Sequence, residues 1–521
     1  PEDLEAIEAK MRELAGRDLA YERKMMPKEE AKQYFTERGE PLKVELVNEK
    51  GGAEVSCYTI DDVFMDFCTG PHVPTSGSLK AFRVLSSSNA YWKGDARNQP
   101  MQRIYGTAFF SNKELQAYLT RLEEAKKRDH RKLGRELSLF TFHPWAPGAA
   151  FWLAAGTTLW NQLADYMRSI LFPEGYVELR TPLVYNKQLW ETSGHWEHYE
   201  ENMLLVESEG EAYSLKPMNC PGHMLVFASE VRSYRDLPIR YHDQSVLHRN
   251  EASGVLAGLT RARQFCQDDA HCFVTPNQIP DEVERLLRLV QRVYHDFQLQ
   301  FSVELSTRPD TFLGNSDTWN KAEAQLKQAL DAANQTYRIA EGEGNFYGPK
   351  IDFHVVDAIG RNWQCATIQL DYQLPERFQL KYIGEDNAEH RPVVIHRAIF
   401  GSFERFIALL IEHYAGAFPL WLAPVQAVVV PIADRHSSYA ESVSNQLQHA
   451  GLRVEVDARQ EKMGYKIRSA QLRKIPYMLV AGDREAAENT VAVRQRSDGD
   501  QGARSIDSFI ADALDEIQQR R

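Results

Sequence analysis

The sequence predicts a multidomain protein of the α+β class, whose regions differ in how helices and strands alternate. Its 521 residues are enough for three or four domains of ordinary size. Helical patterns and short strand-like runs are mixed over most of the chain, whereas the final region alternates strand and helix regularly. The composition, 43% hydrophobic and 26% charged, is globular and excludes disordered, collagen-like and coiled-coil chains.

Residues 1–110 form the first predicted region, which combines helix with short strands. Leu4–Leu19 has a helical pattern, and three runs are predicted as strands: Lys43–Val47, Ala53–Ile60 and Val63–Phe67. Residues 111–137 are predicted as a linker consisting of one long polar helix from Asn112 to about Leu137. Its basic residues indicate either a solvated face or a connector between domains that also touches phosphate.

Residues 138–421, whose start is marked by Pro144 and Pro147, form the largest predicted region. Its predicted helices include Thr157–Phe172, Pro280–Phe297, Ser316–Asn334 and Ser402–Tyr414. Residues 422–521 are predicted as a compact sheet with helices on both faces. The strands expected there are Val425–Ile432, Leu452–Val456, Tyr477–Val480 and Val491–Arg496, and the helices are Ser437–Ala450, Met463–Arg473 and Ile506–Arg520.

Charge, hydropathy and cysteine use restrict the cellular setting. The mean hydropathy is −0.48 and there is no apolar run long enough to span a membrane. Six scattered cysteines and the lack of a signal-peptide pattern after Pro1 favour a reducing cytoplasm. The absent initiator methionine indicates processing or a chain shortened at its N-terminus. A net charge of −12 argues against a histone-like nucleic-acid wrapper but permits RNA binding through local basic patches.

The densest polar constellation lies between Ser245 and Phe273, where two strand-like runs flank a loop containing Gly254 and Gly258. Because strand side chains alternate between faces, the runs present two polar sets. These sets are Arg249 with Glu251, and Gln267 with Asp269 and His271. Cys266 and Cys272 fall on the face opposite His271, so packing explains them better than a shared metal. Polar groups on one sheet face predict a binding site, because a polar ligand would satisfy them.

These residues resemble the signature motifs of class II aminoacyl-tRNA synthetases. HRNE (248–251), with its loop and second strand, resembles motif 2; GSFERF (401–406) resembles motif 3; and the helix 157–172 followed by GYVELRTP (175–182) resembles motif 1. More narrowly, five segments resemble the threonyl-tRNA synthetase family: KPMNCPGH (216–223), RNEASG (249–254), QDDAH (267–271), FYGPKI (346–351) and VIHRAIFGSFERF (394–406).

The resemblance implies an architecture and an activity. Residues 138–421 would be the class II antiparallel-sheet catalytic domain, 422–521 an α/β anticodon-binding domain, and 1–110 the second half of an α+β editing domain. The enzyme would use ATP and Mg²⁺ to convert L-threonine to threonyl-adenylate and transfer it to tRNA(Thr). It would be a homodimer, because motif 1 forms a subunit interface in this class.

The resemblance also implies which residues bind ATP. Arg249 would hold the α-phosphate and the amino-acid carboxylate, and Glu251 would meet the adenine amino group. Arg261 and Arg405 would hold the γ-phosphate end, where Mg²⁺ bridges the phosphates. Arginine suits these roles because its planar guanidinium is always charged. Gln369 and Ser402 would line the adenylate pocket.

A zinc ion, one per subunit, is implied by the match of Cys220, His271 and His396 to the family's zinc ligands. Their spacing alone would not predict a metal site. Three protein ligands leave a fourth position for the amine and hydroxyl of threonine, a geometry that rejects valine more strongly than serine. By resemblance, the other contacts to threonine would come from Asp269, Gln267, Tyr347 and Arg249. His195 would assist transfer to the tRNA ribose.

Two further sets of residues match family positions outside the catalytic region. Asp66, Cys68 and His72 resemble half of the site that hydrolyses seryl-tRNA. The other half is expected upstream of Pro1, so we expect this chain alone to edit poorly. Gln460, Glu485 and Arg494 match anticodon-reading positions, and nearby basic residues offer either phosphate contacts or a solvated face. These basic residues are Lys462, Lys466, Arg468, Arg473 and Lys474.

The chain departs from the usual family residues at four positions in motif 2, namely Ala252, Ala257, Gln264 and Cys266. These departures suggest an active but divergent copy that tolerates an inhibitor of the threonine–ATP pocket. Two other functions stay open at this point. One is a non-catalytic regulator that binds tRNA-like RNA, and the other is a hydrolase of aminoacyl-tRNA, which would need a complete editing site.

Overall fold

The computed structural model describes residues 2–61, 64–95 and 97–520. Its contacts divide the chain into two compact units, of which the first ends at Glu124 and the second begins at Ala125. The division into four regions proposed above stays a prediction. Within the described residues, every helix is too short or too polar to cross a bilayer.

Among its described residues, the first unit contains a three-stranded sheet, a two-stranded hairpin, three complete α-helices and most of the helix Asn112–Arg128. The helices are α1 (Leu4–Gly16), α2 (Lys28–Glu37) and α3 (Pro41–Lys50), and the strands are β1 (Tyr21–Pro27), β2 (Glu54–Ile60), β3 (Phe64–Phe67), β4 (Ala81–Tyr91) and β5 (Pro100–Phe109). β2 pairs with β1 and β3, and β4 pairs with β5, all antiparallel. Phe35, Val47 and Cys57 are among the core residues between α2, α3 and this sheet. Val63, the predicted start of the third strand, lies outside the described residues.

The predicted strand Lys43–Val47 is wrong, because these residues belong to the helix α3. Pro41 occupies the first turn of the helix, where its fixed φ angle and missing N–H are tolerated. Val44 and Val47 are three residues apart and both pack on the core, so they lie on one helical face. Tertiary packing therefore overrides the strand preference of the two valines.

The single polar helix predicted for residues 112–137 is also wrong, because it is broken at Asp129. The structure has α4 (Asn112–Arg128) followed by α5 (His130–Glu136). Asp129 has φ −48° and ψ 121°, and its carboxylate accepts the backbone N–H of Arg131. Asp129 thus caps the N-terminus of a new helix instead of continuing the old one.

The catalytic region is built on an eight-stranded, mainly antiparallel sheet. Its helices are α6 (Ala154–Leu171), α7 (Lys187–Ser193), α8 (His195–Tyr199), α9 (Cys220–Ala228), α10 (Ile279–Asp296), α11 (Ser316–Ala332), α12 (Gln373–Arg377) and α13 (Phe403–His413). Its strands are β6 (Phe140–Thr141), β7 (Phe151–Trp152), β8 (Tyr176–Glu178), β9 (Val184–Asn186), β10 (Leu204–Ser208), β11 (Glu211–Leu215), β12 (Ile239–Asp243), β13 (Val246–His248), β14 (Gln264–Cys266), β15 (Asp269–Val274), β16 (Gln300–Ser306), β17 (Arg338–Ala340), β18 (Lys350–Val356), β19 (Asn362–Asp371), β20 (Tyr382–Ile383), β21 (Glu389–His390) and β22 (Val393–Ala398).

The order of strands in the large sheet is β17-β16-β18-β19-β22-β15-β12-β8. Among the described strand pairs of this sheet, only the two edge pairs, β16 with β17 and β12 with β8, are parallel. One face of the sheet packs on α6, α10, α11 and α13 through a continuous apolar core. The four long helices predicted in this region are confirmed within a few residues at their ends.

The last region forms a five-stranded sheet with the order β24-β23-β25-β26-β27. Its strands are β23 (Ala427–Pro431), β24 (Val454–Val456), β25 (Tyr477–Ala481), β26 (Thr490–Gln495) and β27 (Gly499–Ser505), and its helices are α14 (Ser437–His449), α15 (Met463–Leu472), α16 (Asp483–Glu488) and α17 (Ile506–Gln518). α14 and α17 pack on one face of the sheet, and α15 packs on the other. The prediction of a sheet covered on both faces is confirmed, although α16 and β27 were missed.

Candidate active site

A cleft of about 340 Å³ opens on the face of the large sheet opposite its main core. Its size falls in the range of small-molecule sites. It brings together most of the residues singled out from the catalytic motifs: Cys220, Arg249, Glu251, Arg261, Gln267, Asp269, Tyr347, Gln369, His396, Ser402 and Arg405. These residues come from seven separate segments of sequence, so the fold itself assembles the site.

The strand register explains why distant polar residues meet on the cleft floor. His271 on β15 lies opposite His396 on β22, His396 lies opposite Gln369 on β19, and Gln369 lies opposite Lys350 on β18. Directly opposed residues on neighbouring strands project to the same face of a sheet. The four side chains therefore form one row across four strands.

Cys220, His271 and His396 come close enough to share a metal ion. One ligand atom from each lies within 4.8 Å of the others, and all three residues are buried. Nε2 of His271 and Nδ1 of His396 are buried without a hydrogen-bond partner. Buried polar atoms are normally satisfied, so these two nitrogens are available for a ligand that the protein itself does not supply.

The remaining nitrogens of both histidines are engaged. His396 Nε2 donates to Oδ2 of Asp371 at 2.8 Å, which leaves Nδ1 as a lone-pair donor. His271 Nδ1 lies 2.8 Å from Nδ1 of His223, whose Nε2 is 3.7 Å from Asp243 Oδ2. Such second contacts orient the histidine ligands of metal sites.

Electrostatics also suit a cation at this position. Burial lowers the pKa of His271 well below its usual value, so its imidazole is neutral, as a metal ligand must be. Burial raises the pKa of the Cys220 thiol well above its usual value, whereas a bound cation stabilises the thiolate. The donor set therefore fits a tetrahedral zinc ion with one open position.

Among the described residues four arginines line the cleft, and three of them are the motif residues Arg249, Arg261 and Arg405. The Arg249 guanidinium lies 4.9 Å from the ring centre of Phe265, and its Nε has no hydrogen-bond partner. Arg405 donates to the carbonyl oxygens of Thr260 at 3.3 Å and Gln364 at 3.1 Å. Burial and the nearby charges of Arg249 and Arg261 lower the pKa of Arg405. This concentration of positive charge favours a polyanionic ligand.

Glu251 does not face an empty part of the cleft. Its Oε2 accepts a hydrogen bond from Arg261 Nε at 2.8 Å. The two side chains assigned to opposite ends of ATP are therefore paired with each other. Binding of ATP in the implied orientation requires this exposed pair to separate.

The cleft is also lined by four uncharged or acidic residues, Asp269, Gln267, Gln369 and Tyr347. Asp269 Oδ2 accepts from Asn219 Nδ2 at 3.1 Å, and Gln369 donates to the carbonyl oxygen of Gly348 at 3.0 Å. Gln267 donates to the carbonyl oxygen of Gly401 at 2.9 Å. These side chains are held in place by the protein, which is the preorganisation that a selective polar site needs.

Ser402 acts locally as the N-cap of α13. Its hydroxyl oxygen accepts the backbone N–H of Arg405 at 3.1 Å. The cap fixes the start of the helix that carries Arg405. Ser402 therefore both lines the cleft and orients an arginine.

His195 is fully buried and is not among the described residues that line the cleft. Its Nδ1 lies 2.8 Å from Ser193 Oγ, and its ring packs against Phe346 and Tyr347. Burial lowers its pKa to about 3, so the imidazole is neutral. Its Nε2 lies 3.0 Å from Sδ of Met218, which lines the cleft, so both ring nitrogens have partners within the protein.

In the first unit, the structure brings together two of the three predicted editing residues. His72 Nε2 lies 3.3 Å from Cys68 Sγ. Asp66 is directed elsewhere, because its Oδ1 pairs with Lys43 Nζ at 3.1 Å. The assignment of Asp66, Cys68 and His72 to one editing site stays a prediction.

The predicted anticodon residues lie in the last region, on separate elements. Gln460 donates to Asp434 at 3.2 Å, Glu485 accepts the backbone N–H of Gly482 on α16, and Arg494 lies on β26. Lys466 cannot contact phosphate as predicted, because it is buried and donates to the carbonyl oxygen of Pro431 at 3.1 Å.

Several residues that support the cleft were missed by the sequence analysis. Asn219, His223 and Asp371 hold Asp269, His271 and His396 respectively. Asn219 and His223 lie within the KPMNCPGH segment, so the signal was present. Asp371 follows Gln369 by two residues on β19, but only the sheet register reveals that it meets His396.

Three family models match separate parts of the chain. Residues 204–414 match the tRNA synthetase class II core domain (G, H, P, S and T), and residues 426–516 match the anticodon binding domain. Residues 55–105 match the threonyl and alanyl tRNA synthetase second additional domain. The first match contains every residue named above as lining the cleft.

Known proteins resemble the chain over nearly its whole length. It is 55% identical to the threonine–tRNA ligase of Myxococcus xanthus, over 98% of this chain and 80% of that protein. It is 53% identical to the threonine–tRNA ligase of Caldanaerobacter subterraneus subsp. tengcongensis, over 99% of this chain and 80% of the relative. A solved structure, the RNA binding domain of threonyl-tRNA synthetase from Cryptosporidium parvum Iowa II, matches with a TM-score of 0.73 at 44% identity, covering 74% of this chain and 98% of that one.

Proposed function

Because this chain belongs to the threonyl-tRNA synthetase family of class II aminoacyl-tRNA synthetases, we propose that it ligates L-threonine to tRNA(Thr) through the cleft on its large sheet. The observation that carries this proposal is that Arg249, Arg261 and Arg405 line one cavity together with Cys220 and His396, which cluster with the buried His271. The cavity thus offers groups that suit an anion and groups that suit a metal ion.

Activation joins the threonine carboxylate to the α-phosphorus of ATP. A carboxylate oxygen forms the new bond while the bond from the α-phosphorus to the bridging oxygen breaks and pyrophosphate leaves. Arg249 is proposed to hold the carboxylate and the α-phosphate, which brings the reacting atoms together and offsets charge on the phosphoryl oxygens. Arg261 and Arg405 would bind the γ-phosphate end of the Mg²⁺–ATP complex.

Zinc is proposed to be held by Cys220, His271 and His396, whose unpartnered nitrogens and thiol fit the ion. When bound, zinc would supply a coordination position for the amine and hydroxyl of threonine. Asp269 is placed to accept a hydrogen bond from that hydroxyl, and Gln267 and Tyr347 to fix the amine. Valine offers no hydroxyl and would leave these buried groups unsatisfied, whereas serine would fit.

Transfer requires the ribose hydroxyl of the tRNA to attack the threonyl carbonyl while AMP leaves. His195 is proposed to assist, since its neutral imidazole can accept a hydrogen bond once the contact of Nε2 with Met218 is released. The last region would read the anticodon through Gln460, Glu485 and Arg494. Exposed apolar residues near motif 1, such as Phe172 and Val177, support the proposed homodimer.

The experiment that tests the proposal is ATP–pyrophosphate exchange with threonine, serine or valine, followed by charging of tRNA(Thr). Exchange that depends on threonine, together with charging, supports the ligase. RNA binding without exchange would favour the regulator, and hydrolysis of seryl-tRNA without exchange would favour the hydrolase. Editing by Cys68 and His72 stays a separate proposal for the first unit.

Tolerance of an inhibitor also stays a proposal. Ala252, Ala257, Gln264 and Cys266 are not among the described residues that line the cleft, so their effect would be indirect. Ala257 pairs with Arg261 in the motif 2 loop. The residue at position 257 could therefore change the shape of the cleft through Arg261, which lines it. Growth rescue of a synthetase-deficient strain with and without an active-site inhibitor tests this, and ordinary sensitivity would contradict it.

Replacing Asp371 with asparagine is expected to weaken zinc binding by about 10- to 100-fold, the usual effect of losing a carboxylate behind a ligating histidine. The measurement is zinc affinity by competition with a chromogenic chelator. Asp386→Asn is the matched control, because Asp386 also accepts from a histidine, His390, but on the surface. Equal affinities in the two variants would contradict the assigned role of Asp371.

A further inference from the structure

A buried histidine outside the cleft, His130, connects two segments that carry cleft arginines. It is the first residue of α5 and is 5% exposed. Its Nδ1 lies 2.7 Å from Oε1 of Glu412 near the end of α13, and its backbone N–H donates to the same oxygen at 3.0 Å. On the other side, its Nε2 lies 3.1 Å from the backbone nitrogen of Leu259.

These contacts determine which ring nitrogen carries the proton. A backbone N–H can only donate, so Nε2 of His130 must be the acceptor and Nδ1 must donate to Glu412. Burial alone would raise the pKa of Glu412, but hydrogen bonds from His130 and Arg361 lower it. The ionised Glu412 therefore provides a stable acceptor that keeps the imidazole in one orientation.

The same residues do not form a second metal site. Asp129, His130 and Glu412 lie close enough together to hold an ion. However, Arg131 binds the Asp129 carboxylate, Arg361 binds Glu412, and both nitrogens of His130 are engaged. The cluster is satisfied internally, so it needs no cation to stabilise it.

The segment that His130 contacts is a tight turn, residues 257–261, at the end of the motif 2 loop. Ala257 N–H donates to the carbonyl oxygen of Arg261 at 3.2 Å, and the carbonyl oxygen of Thr260 accepts from Arg405. Gly258 has a φ angle of +57°, and a Cβ there would lie 2.3 Å from Nε2 of His130. Glycine is required here both for the backbone conformation and for the close approach of the imidazole.

We propose that His130 is a positioning residue for ATP. By binding Leu259 and Glu412 together, it holds the 257–261 turn against α13, so that Arg261 and Arg405 face the same end of the cleft. This inference rests on the proposed function, because it takes these two arginines as ligands of the ATP phosphates. His130 does not line the cleft among the described residues and acts through Leu259.

The test uses two amide variants that each keep one half of the contact. His130→Asn keeps a donor near the Nδ1 position and loses the acceptor for Leu259, whereas His130→Gln places an amide oxygen near the Nε2 position. Loss of this hydrogen bond is expected to raise the KM for ATP about tenfold in His130→Asn and about threefold at most in His130→Gln. The KM for threonine is expected to change less than about twofold, since the metal-ligand end keeps its contacts.

His436→Asn is the matched control, measured in the same exchange assay. His436 is also buried, accepts a backbone N–H from Ala433 and contacts a carboxylate, Asp483, but it lies in the last region. It is expected to leave the KM for ATP unchanged. Melting temperatures of all variants separate a general loss of stability from the specific effect on ATP.

An unchanged KM for ATP in His130→Asn would overturn the inference, and so would an equal rise in the KM values for ATP and threonine. If His130→Asn does not fold, Gly258→Ala carries the test. Its Cβ would displace the imidazole, so a selective rise in the KM for ATP is expected and its absence overturns the proposal. If the wild-type protein shows no exchange, the proposed function itself is rejected. This result differs from normal wild-type exchange with variants whose KM for ATP is unchanged, which rejects only the role of His130.

Discussion

Replacing Cys220 with alanine is expected to remove bound zinc and to lower threonine-dependent exchange by more than about a hundredfold. Even residues behind a ligating histidine contribute about 10- to 100-fold to metal affinity or activity, so loss of a ligand should cost more. Cys220 is the one thiol of the cluster, and His271 and His396 alone leave an incomplete tetrahedral set. Zinc content by atomic absorption and exchange kinetics on the same sample are the measurements.

Cys272→Ala is the matched control for Cys220→Ala. Cys272 is also fully buried and lies next to His271 on β15, but it faces the apolar core. This variant is expected to retain one zinc per chain and nearly normal exchange. Retention of both zinc and threonine activation by Cys220→Ala would contradict the assignment of the ligands.

Replacing Arg249 with alanine is expected to lower kcat/KM for threonine-dependent exchange by about 10²- to 10³-fold, the usual effect of removing one donor to a developing charge. Arg249 lines the cleft with a buried Nε that has no hydrogen-bond partner, and among the described residues no ion pair holds it in place. Binding of zinc should be unaffected, because the metal ligands are on other segments. Steady-state exchange kinetics and zinc content test both statements.

Arg338→Ala is the matched control for Arg249→Ala. Arg338 lies on the edge strand β17 of the same sheet, where it pairs with Glu304 and is largely exposed. Its loss is expected to leave exchange unchanged, since exposed ion pairs contribute little. An Arg249→Ala enzyme with wild-type kcat/KM would reject the proposed contact with the α-phosphate.

The fold could be predicted from the sequence where the apolar pattern of a short segment determines its secondary structure. The strand–helix alternation of residues 422–521 appears in the structure because most elements there have clear apolar periodicity, and several end near glycine or proline, as α14 does at Gly451. Lys43–Val47 was misassigned because two valines favour a strand locally but pack as one face of a helix. The helix break at Asp129 was missed because the residues around it are also polar, so the capping aspartate cannot be distinguished from them in the sequence.

The candidate site was predictable only in part. The segments around Cys220, Arg249, His271 and His396 resemble family motifs, and the structure brings them into one cleft. The residues that hold these side chains in place are determined by the sheet register and by contacts between segments that are distant in the sequence. Asp371 meets His396 across two strands, and His130 meets Leu259 across more than a hundred residues of chain. Such contacts cannot be read directly from patterns in the sequence.

The central claim is that the Cys220–His271–His396 cluster selects threonine through a bound zinc ion. Its most direct test is exchange by the wild-type protein before chelation, after complete removal of metal, and after stoichiometric Zn²⁺ is returned. We expect threonine exchange to be lost without metal and restored by Zn²⁺, with serine activated weakly and valine not activated in the zinc-replete enzyme. Undiminished threonine exchange by metal-free protein that remains folded would contradict the claim.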